Sequence, residues 1–195
     1  DGAVSYQWSF GDGGNNLTSD SIITHLYQNS TSLPLPYVVT LQITSARSCI
    51  DSAQAMLTVY PEVQSDFTFV PDSGCNPLAV TFSNSSFGAT IYNWEFGDGG
   101  TSGFENPVHN YYNPNSTDSI FNASLIAWSP YNCSDTMTKP LKVYSFLRAD
   151  FTFEYNSGCS PFNLMIQNNS VGASEYLWTI SDGTTLTNSD ALIPH

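Results

Sequence analysis

Three aspartates stand at one spacing from a tryptophan. Asp12 lies in Trp8-Ser9-Phe10-Gly11-Asp12-Gly13-Gly14, Asp98 in Trp94-Glu95-Phe96-Gly97-Asp98-Gly99-Gly100, and Asp182 in the looser Trp178-Thr179-Ile180-Ser181-Asp182-Gly183. A recurring carboxylate can serve as a general acid or base, or as a ligand for a hard cation. Neither chemistry suits these surroundings. No further carboxylate adjoins any of the three, whereas calcium takes about six to eight oxygens. His25 and His109 precede Tyr27 and Tyr111 by two positions, and none of the histidines, His195 included, has cysteine or carboxylate partners at zinc-like spacing. A nucleophile needs a base within hydrogen-bond reach, and so few histidines supply no such arrangement. The expectation is a chain with no catalytic residue, no metal site and no cofactor. Gly11, Asp12, Gly13, Gly97, Asp98, Gly99, Asp182 and Gly183 then form turns, because Asp-Gly tolerates positive φ and the carboxylate can accept nearby backbone N–H groups. The histidines are expected to cap a strand or pack on the turn.

The chain that must position these turns is polar without being charged. Hydrophobic residues make up 41% and aromatics 14%, enough for a packed interior, while charged residues are only 11%, against about 25% in ordinary soluble domains. Asn, Ser, Thr and Gly supply the polarity, and together with β-branched and aromatic residues they favour strands and turns over helices. Four Lys and Arg against 17 Asp and Glu give a net charge of -13, which repels phosphate backbones and anionic membranes at long range. Nucleic acid and direct membrane insertion are not expected. There is no run of about 18 apolar residues and no leader-like segment.

Self-similarity sets the organisation. Asp66-Phe67-Thr68-Phe69 recurs as Asp150-Phe151-Thr152-Phe153, Ser73-Gly74-Cys75 as Ser157-Gly158-Cys159, and Trp94 as Trp178, each 84 positions on (150−66, 157−73, 178−94). Cys49 and Tyr60 map to Cys133 and Tyr144 at the same interval, and Trp8 to Trp94 at 86, which places a two-residue indel between the Trp and Cys landmarks. The expected domains are residues 1–63, the later part of one repeat; 64–147, a whole repeat; and 148–195, the first part of a third. A longer parent chain is the simplest expectation for the incomplete end units. Within the whole repeat, strands are expected over Phe67–Val70, Ala79–Ser83, Ile91–Phe96, Val108–Tyr112, Phe121–Trp128 and Leu141–Tyr144, with Tyr92, Trp94 and Phe96 on one face. Trp8, Trp94 and Trp178 are the expected centres of three cores.

Trp-x-Phe-Gly-Asp-Gly followed by Asn106-Pro107-Val108-His109-Asn110-Tyr111 resembles the signature of the PKD domain. The first unit departs from it, with Thr24-His25-Leu26-Tyr27 lacking the Asn-Pro, and the third has Ile180-Ser181 for Phe-Gly. The resemblance implies an all-β fold of tandem immunoglobulin-like β-sandwich repeats of about 84 residues, without catalytic machinery. The Ser-Gly-Cys-x-Pro and Asn-Cys-Ser-Asp stretches are further similar to repeats of large surface proteins from Bacteroidetes. On an immunoglobulin-like topology Cys75 stands before the second strand at one end of the sandwich and Cys133 between the last two strands at the other. The four cysteines, Cys49, Cys75, Cys133 and Cys159, are therefore expected to form disulfides between repeats or chains in an oxidising compartment rather than within one sandwich. Asp-Ser/Thr-apolar triplets at Ser21, Ser52, Ser119 and Thr136 resemble Bacteroidetes O-glycosylation acceptors.

The function these expectations describe is a non-catalytic, extracellular structural or adhesive repeat segment of a surface protein or filament. Its partners would be neighbouring repeats, copies of the same chain, and surface polysaccharide. The alternative is a carbohydrate-binding accessory module of a secreted hydrolase, for which Tyr6, Tyr92 and Trp128 would need to form an outward aromatic strip.

Overall fold

The computed structural model describes residues 3–162, 164–181, 183, 185–187 and 192–194. Among them there is no helix, and all regular structure is β. The first repeat contributes β1 (Ala3–Ser9), β2 (Asn15–Thr18), β3 (Leu35–Ser45) and β4 (Ile50–Val59). The middle repeat contributes β5 (Phe67–Val70), β6 (Ser73–Gly74), β7 (Leu78–Asn84), β8 (Ile91–Glu95), β9 (Thr101–Ser102), β10 (Val108–Tyr111), β11 (Ser119–Trp128) and β12 (Ser134–Val143). The third adds β13 (Phe151–Phe153), β14 (Met165–Asn168), β15 (Trp178–Thr179), β16 (Thr185–Leu186) and β17 (Leu192–Pro194).

The chain divides into two compact units. One is Asp1–Asp66 with Ser85–Asn93 and Leu125–Met137; the other is Phe67–Asn84 with Trp94–Ser124 and Thr138–His195. In the first, β2-β1-β3-β4 form an antiparallel sheet in which Trp8 stands opposite Leu41 and Leu41 opposite Ala53. In the second, a sheet ordered β10-β7-β5 turns Phe67 and Phe82 onto Trp94, with ring centroids 5.0 and 5.2 Å away. Phe67, Val80, Phe82 and Trp94 are fully buried, so the expected central tryptophan sits between facing sheets. The remaining strands of the middle repeat are ordered β6-β12-β11-β8-β9, with β6 parallel to β12. This is an immunoglobulin-like strand order. The third repeat shows a sheet ordered β13-β14-β17 and a short β15–β16 hairpin.

The copies share more than sequence. Ser45 N–H to Cys49 O, Ser48 N–H to Ser45 O and the positive φ of Ser48 recur as Ser129 to Cys133, Asn132 to Ser129 and the positive φ of Asn132. One expectation needs correcting: the last strand of the middle repeat begins at Ser134, not at Leu141. Its first half, Ser-Asp-Thr-Met-Thr-Lys, shows no apolar alternation because two of its inward positions carry Asp135 and Lys139. Asp135 accepts the Ser65 N–H, and Lys139 lies 5.1 Å from the Phe67 ring centre and donates to the Phe67 carbonyl. The inward groups are polar because they hold the incoming first strand.

Candidate functional site

In each Gly-Asp-Gly segment the chain reverses, a histidine packs on the turn, and its bond to the aspartate is the feature the sequence did not announce. Phe96 N–H bonds Gly100 O at 3.0 Å, and the Asp98 carboxylate accepts the Gly100 N–H through Oδ1 at 2.9 Å. The other oxygen, Oδ2, lies 2.7 Å from His109 Nε2, eleven residues downstream at the start of the Val108–Tyr111 strand. The His109 ring stacks on Phe96 at 4.0 Å and meets the edge of Tyr111 at 4.7 Å. The first repeat has the same cluster: Asp12 to Gly14 N–H at 2.8 Å, Asp12 to His25 at 2.6 Å, and His25 on Phe10 at 3.8 Å. Phe, Asp, His and Tyr thus form a latch joining a strand-end turn to a later segment of the repeat, which is a strand in the middle copy and has no regular structure in the first. The Asp–His spacing is 13 in the first copy and 11 in the second, which locates the two-residue indel in this loop. The shorter loop also offers Phe104 O to Trp94 Nε1 at 2.8 Å, whereas Trp8 Nε1 is buried without a partner. In the third copy Gly183 keeps its positive φ and donates to Ile180 O. Asp182 and His195 repeat the 13-residue spacing and lie outside the described residues.

In the latch both oxygens of Asp12 and of Asp98 are hydrogen-bonded, and no group of three or more His, Cys, Asp or Glu side chains that could hold a metal ion gathers among the described residues. The latch titrates. Burial raises the Asp98 pKa, but the His109 hydrogen bond and the Gly100 N–H outweigh it, leaving the carboxyl below its ordinary value of 3.8; Asp12 is lowered by His25 first and then by Gly14. A carboxylate depressed in the folded state contributes stability that is present above the unfolded value and is lost as pH falls through the folded one. Urea midpoints followed by tryptophan fluorescence should therefore hold from neutrality to about pH 5 and fall below about pH 4. Asp98→Asn should flatten that acid slope; an unchanged slope would show that the latch does not contribute to it.

A second cluster was missed by sequence reasoning. Asn29 and Asn113, 84 apart, are buried two residues after the latch tyrosines. Asn113 Nδ2 donates to Thr117, Val143 and Tyr144 carbonyls at 2.9, 3.1 and 3.2 Å, while Oδ1 accepts from Asn115 N–H and Ser119 Oγ. Asn29 Nδ2 donates to Leu33 and Val59 carbonyls at 2.9 and 2.8 Å. Each asparagine grips the last strand of its repeat just before the linker. The available signal was its recurrence at the repeat interval beside Tyr27 and Tyr111.

The linkers are held on their other side too. Glu62 N–H bonds Asn29 O, Gln64 and Phe87 exchange both backbone bonds at 3.0 and 2.8 Å, and buried Ser65 donates to Leu125 O and to Asp135. Tyr60, at the end of the first repeat, stacks on Tyr131 of the next at 4.6 Å. The second junction repeats part of the first: Arg148 and Val171 exchange bonds at 3.0 and 2.8 Å as Gln64 and Phe87 do, Asp150 N–H bonds Ser170 Oγ as Asp66 N–H bonds Ser86 Oγ, and Asn169 N–H bonds Asp150 O as Ser85 N–H bonds Asp66 O. Gly88 and Gly172, both at positive φ, let the following repeat approach the linker carbonyls of Glu62 and Phe146; a Cβ would stand 2.2 and 2.5 Å from those oxygens.

No two of the four cysteines are bridged to one another; Cys49, Cys75 and Cys159 are exposed and Cys133 is half-buried. Cys133 closes the turn that carries Tyr131 to the junction, and Cys75 follows the strand paired with Lys142 and Val143. Ser21, Ser52 and Thr136 are exposed, but Ser52 and Thr136 lie on strands rather than in loops. Ser119 is half-buried with its hydroxyl bonded to Asn113. Tyr6 and Tyr92 are half-buried, and Tyr92 donates to Ala89 O.

No family model matches the chain, and no curated protein matches it. Among solved structures it is similar to the PKD1 domain from Vibrio cholerae metalloprotease PrtV, with 25% identity over 42% of this chain and 95% of that one, at a TM-score of 0.34. It is also similar to a tetra-tandem repeat in the extending region of a large adhesion protein, with 9% identity over 98% of this chain and 57% of that one, at a TM-score of 0.31. The class of fold rests on the chain's own sheets: tandem all-β sandwich repeats.

Proposed function

We infer that this chain is a non-catalytic, extracellular segment of PKD-type sandwiches that sets distance and carries load in a large surface protein, with adhesive contacts multiplied by repetition. The observation that carries the reading is the backbone pairing of the linker, a clasp in which the exchange between Gln64 and Phe87 recurs at the repeat interval as that between Arg148 and Val171. A linker that served only as a tether would leave its amides to water. Here Pro61, Val63 and Ser65 are buried in alternation and Gln64 exchanges both backbone bonds with Phe87, an arrangement that suits a chain bearing pull. Acidity without basic patches suits a crowded extracellular layer, and repeating cysteine positions suit an oxidising compartment.

The reading is tested by distance measurement between spin labels on Met56→Cys and Thr136→Cys, in a chain whose native cysteines are serine. Both positions are exposed. The native linker should give one narrow distance distribution. Gly88→Val should broaden it, because the added side chain meets the Glu62 carbonyl. A broad distribution with the native linker would reduce the segment to a flexible tether and sink the load-bearing role.

A further inference from the structure

The two junctions share part of their bonding but differ in what they show to solvent. At the first, Gln28 and Ser30, on either side of Asn29, and Glu62 in the linker are all exposed. Their counterparts 84 positions on are Tyr112, Pro114 and Phe146 (112−28, 114−30, 146−62). Three polar residues have become two aromatic rings and a proline, and Tyr112 is 66% exposed. Together with Asn76 and Asn113 they line a shallow groove of about 380 Å³, within the range of roughly 300–1,000 Å³ usual for small-molecule sites. Exposure belongs to these positions: Gln28 and Glu62 are open to solvent although the repeat that follows them includes β11 and β12.

The backbone that presents the groove is held in place. The Asn76 carboxamide donates to Asn113 O at 3.0 Å and accepts the Asn113 N–H at 2.8 Å. Asn113 in turn grips the Val143 and Tyr144 carbonyls, and Ser145 N–H bonds Asp118 at 3.0 Å. Tyr112, Pro114 and Phe146 each adjoin one of these fixed residues, so a ligand need not order the walls it meets. After its two bonds the Asn76 amide still has one hydrogen to donate and one lone pair to offer. No charged side chain lines the groove. The net charge of -13 repels a polyanion, and no carboxylate is there to hold a cationic group. Flat apolar walls beside an amide match a ring whose faces are C–H and whose rim is hydroxyl. We propose that this groove binds one ring of a neutral polysaccharide whose hydroxyls are equatorial, with the aromatic walls against the ring and Asn76 bonding its hydroxyls. A proline-rich peptide fits less well, because it docks along successive aromatic grooves and the matching positions of the first repeat are polar. The proposal gives the adhesive contacts a place and rests on the adhesive part of the proposed function.

Amide and side-chain NMR spectra of the full 195-residue chain, titrated with cellohexaose, should show saturable shifts centred on Asn76, Tyr112, Asn113 and Phe146. The same oligosaccharide carboxylated at C6 should bind at least about tenfold more weakly, since its charge meets an acidic chain. Tyr112→Phe keeps the ring and should keep most of the binding. Tyr112→Gln with Phe146→Glu, which writes the first junction's residues into the second, should abolish the shifts while Trp94 fluorescence and the urea midpoint stay those of the native chain. Absence of saturable shifts with cellohexaose, shifts that fall elsewhere or survive the double substitution, or a proline decapeptide that fills the groove where cellohexaose does not would each overturn the proposal. Such a failure alongside a narrow spin-label distance would remove this site and leave the load-bearing role standing.

Discussion

Gly97→Ala is expected to destabilise the middle repeat by about 3 kcal/mol, while Gly99→Ala, two residues away, costs about 1 kcal/mol. Both glycines have positive φ, 81° and 92°, so both substitutions carry the strain of a left-handed backbone. Only Gly97 lies against another strand. A Cβ there would stand 2.6 Å from Asn122 O and 2.8 Å from Asn122 N, main-chain atoms of β11 that cannot swing aside, whereas nothing lies within 4 Å of a Cβ on Gly99. The first repeat repeats the contrast, with Gly11 against Val38 and Gly13 in open space. Chemical denaturation followed by Trp94 fluorescence measures the difference. Equal costs at the two positions would mean that the turn, and not close packing against β11, sets the requirement for glycine.

Asn113→Leu is expected to cost about 3 kcal/mol or more despite its similar volume, because it strands buried carbonyls and an N–H that the side chain now satisfies. Asn113→Asp should be nearly as damaging. An aspartate keeps the acceptor for Asn115 and Ser119 but faces the Thr117, Val143 and Tyr144 carbonyls without donors. Both variants loosen the last strand where it enters the linker, so proteolysis should appear first near Val143–Ser145. If Asn113→Asp were as stable as the native chain at neutral pH, the amide would not be the grip described here.

Much of the scaffold could be read from residues because its causes are local. Phe67, Phe82 and Trp94 sit where period-two alternation puts them, and Tyr37, Val39, Leu41 and Ile43 run along one strand as their spacing implies. The Gly-Asp-Gly segment was legible as a turn because positive φ and a carboxylate beside an N–H are properties of three adjacent residues. Its histidine was expected to pack on the turn or cap a strand; the bond to the aspartate was not legible. His109 is brought to Asp98 by the return of a separate strand, and nothing in an eleven-residue separation specifies that meeting. The early half of β12 was missed for a related reason: Asp135 and Lys139 occupy inward positions for long-range contacts with Ser65 and Phe67. The contacts that hold the first linker come from Phe87, Asp135 and Tyr131, residues of the following repeat that no local pattern could name.

The clasp is most directly tested by residue-resolved amide hydrogen exchange on the native chain. Glu62, Gln64, Ser65, Arg148 and Asp150 donate their N–H groups to Asn29, Phe87, Asp135, Val171 and Ser170. Their amides should exchange slowly, at rates comparable to those of the flanking strands, with Gly88→Val releasing Gln64 selectively. Exchange of these amides at the rate of an unstructured peptide would show that the repeats are strung together rather than locked, and the account of a stiff, load-bearing segment would be wrong.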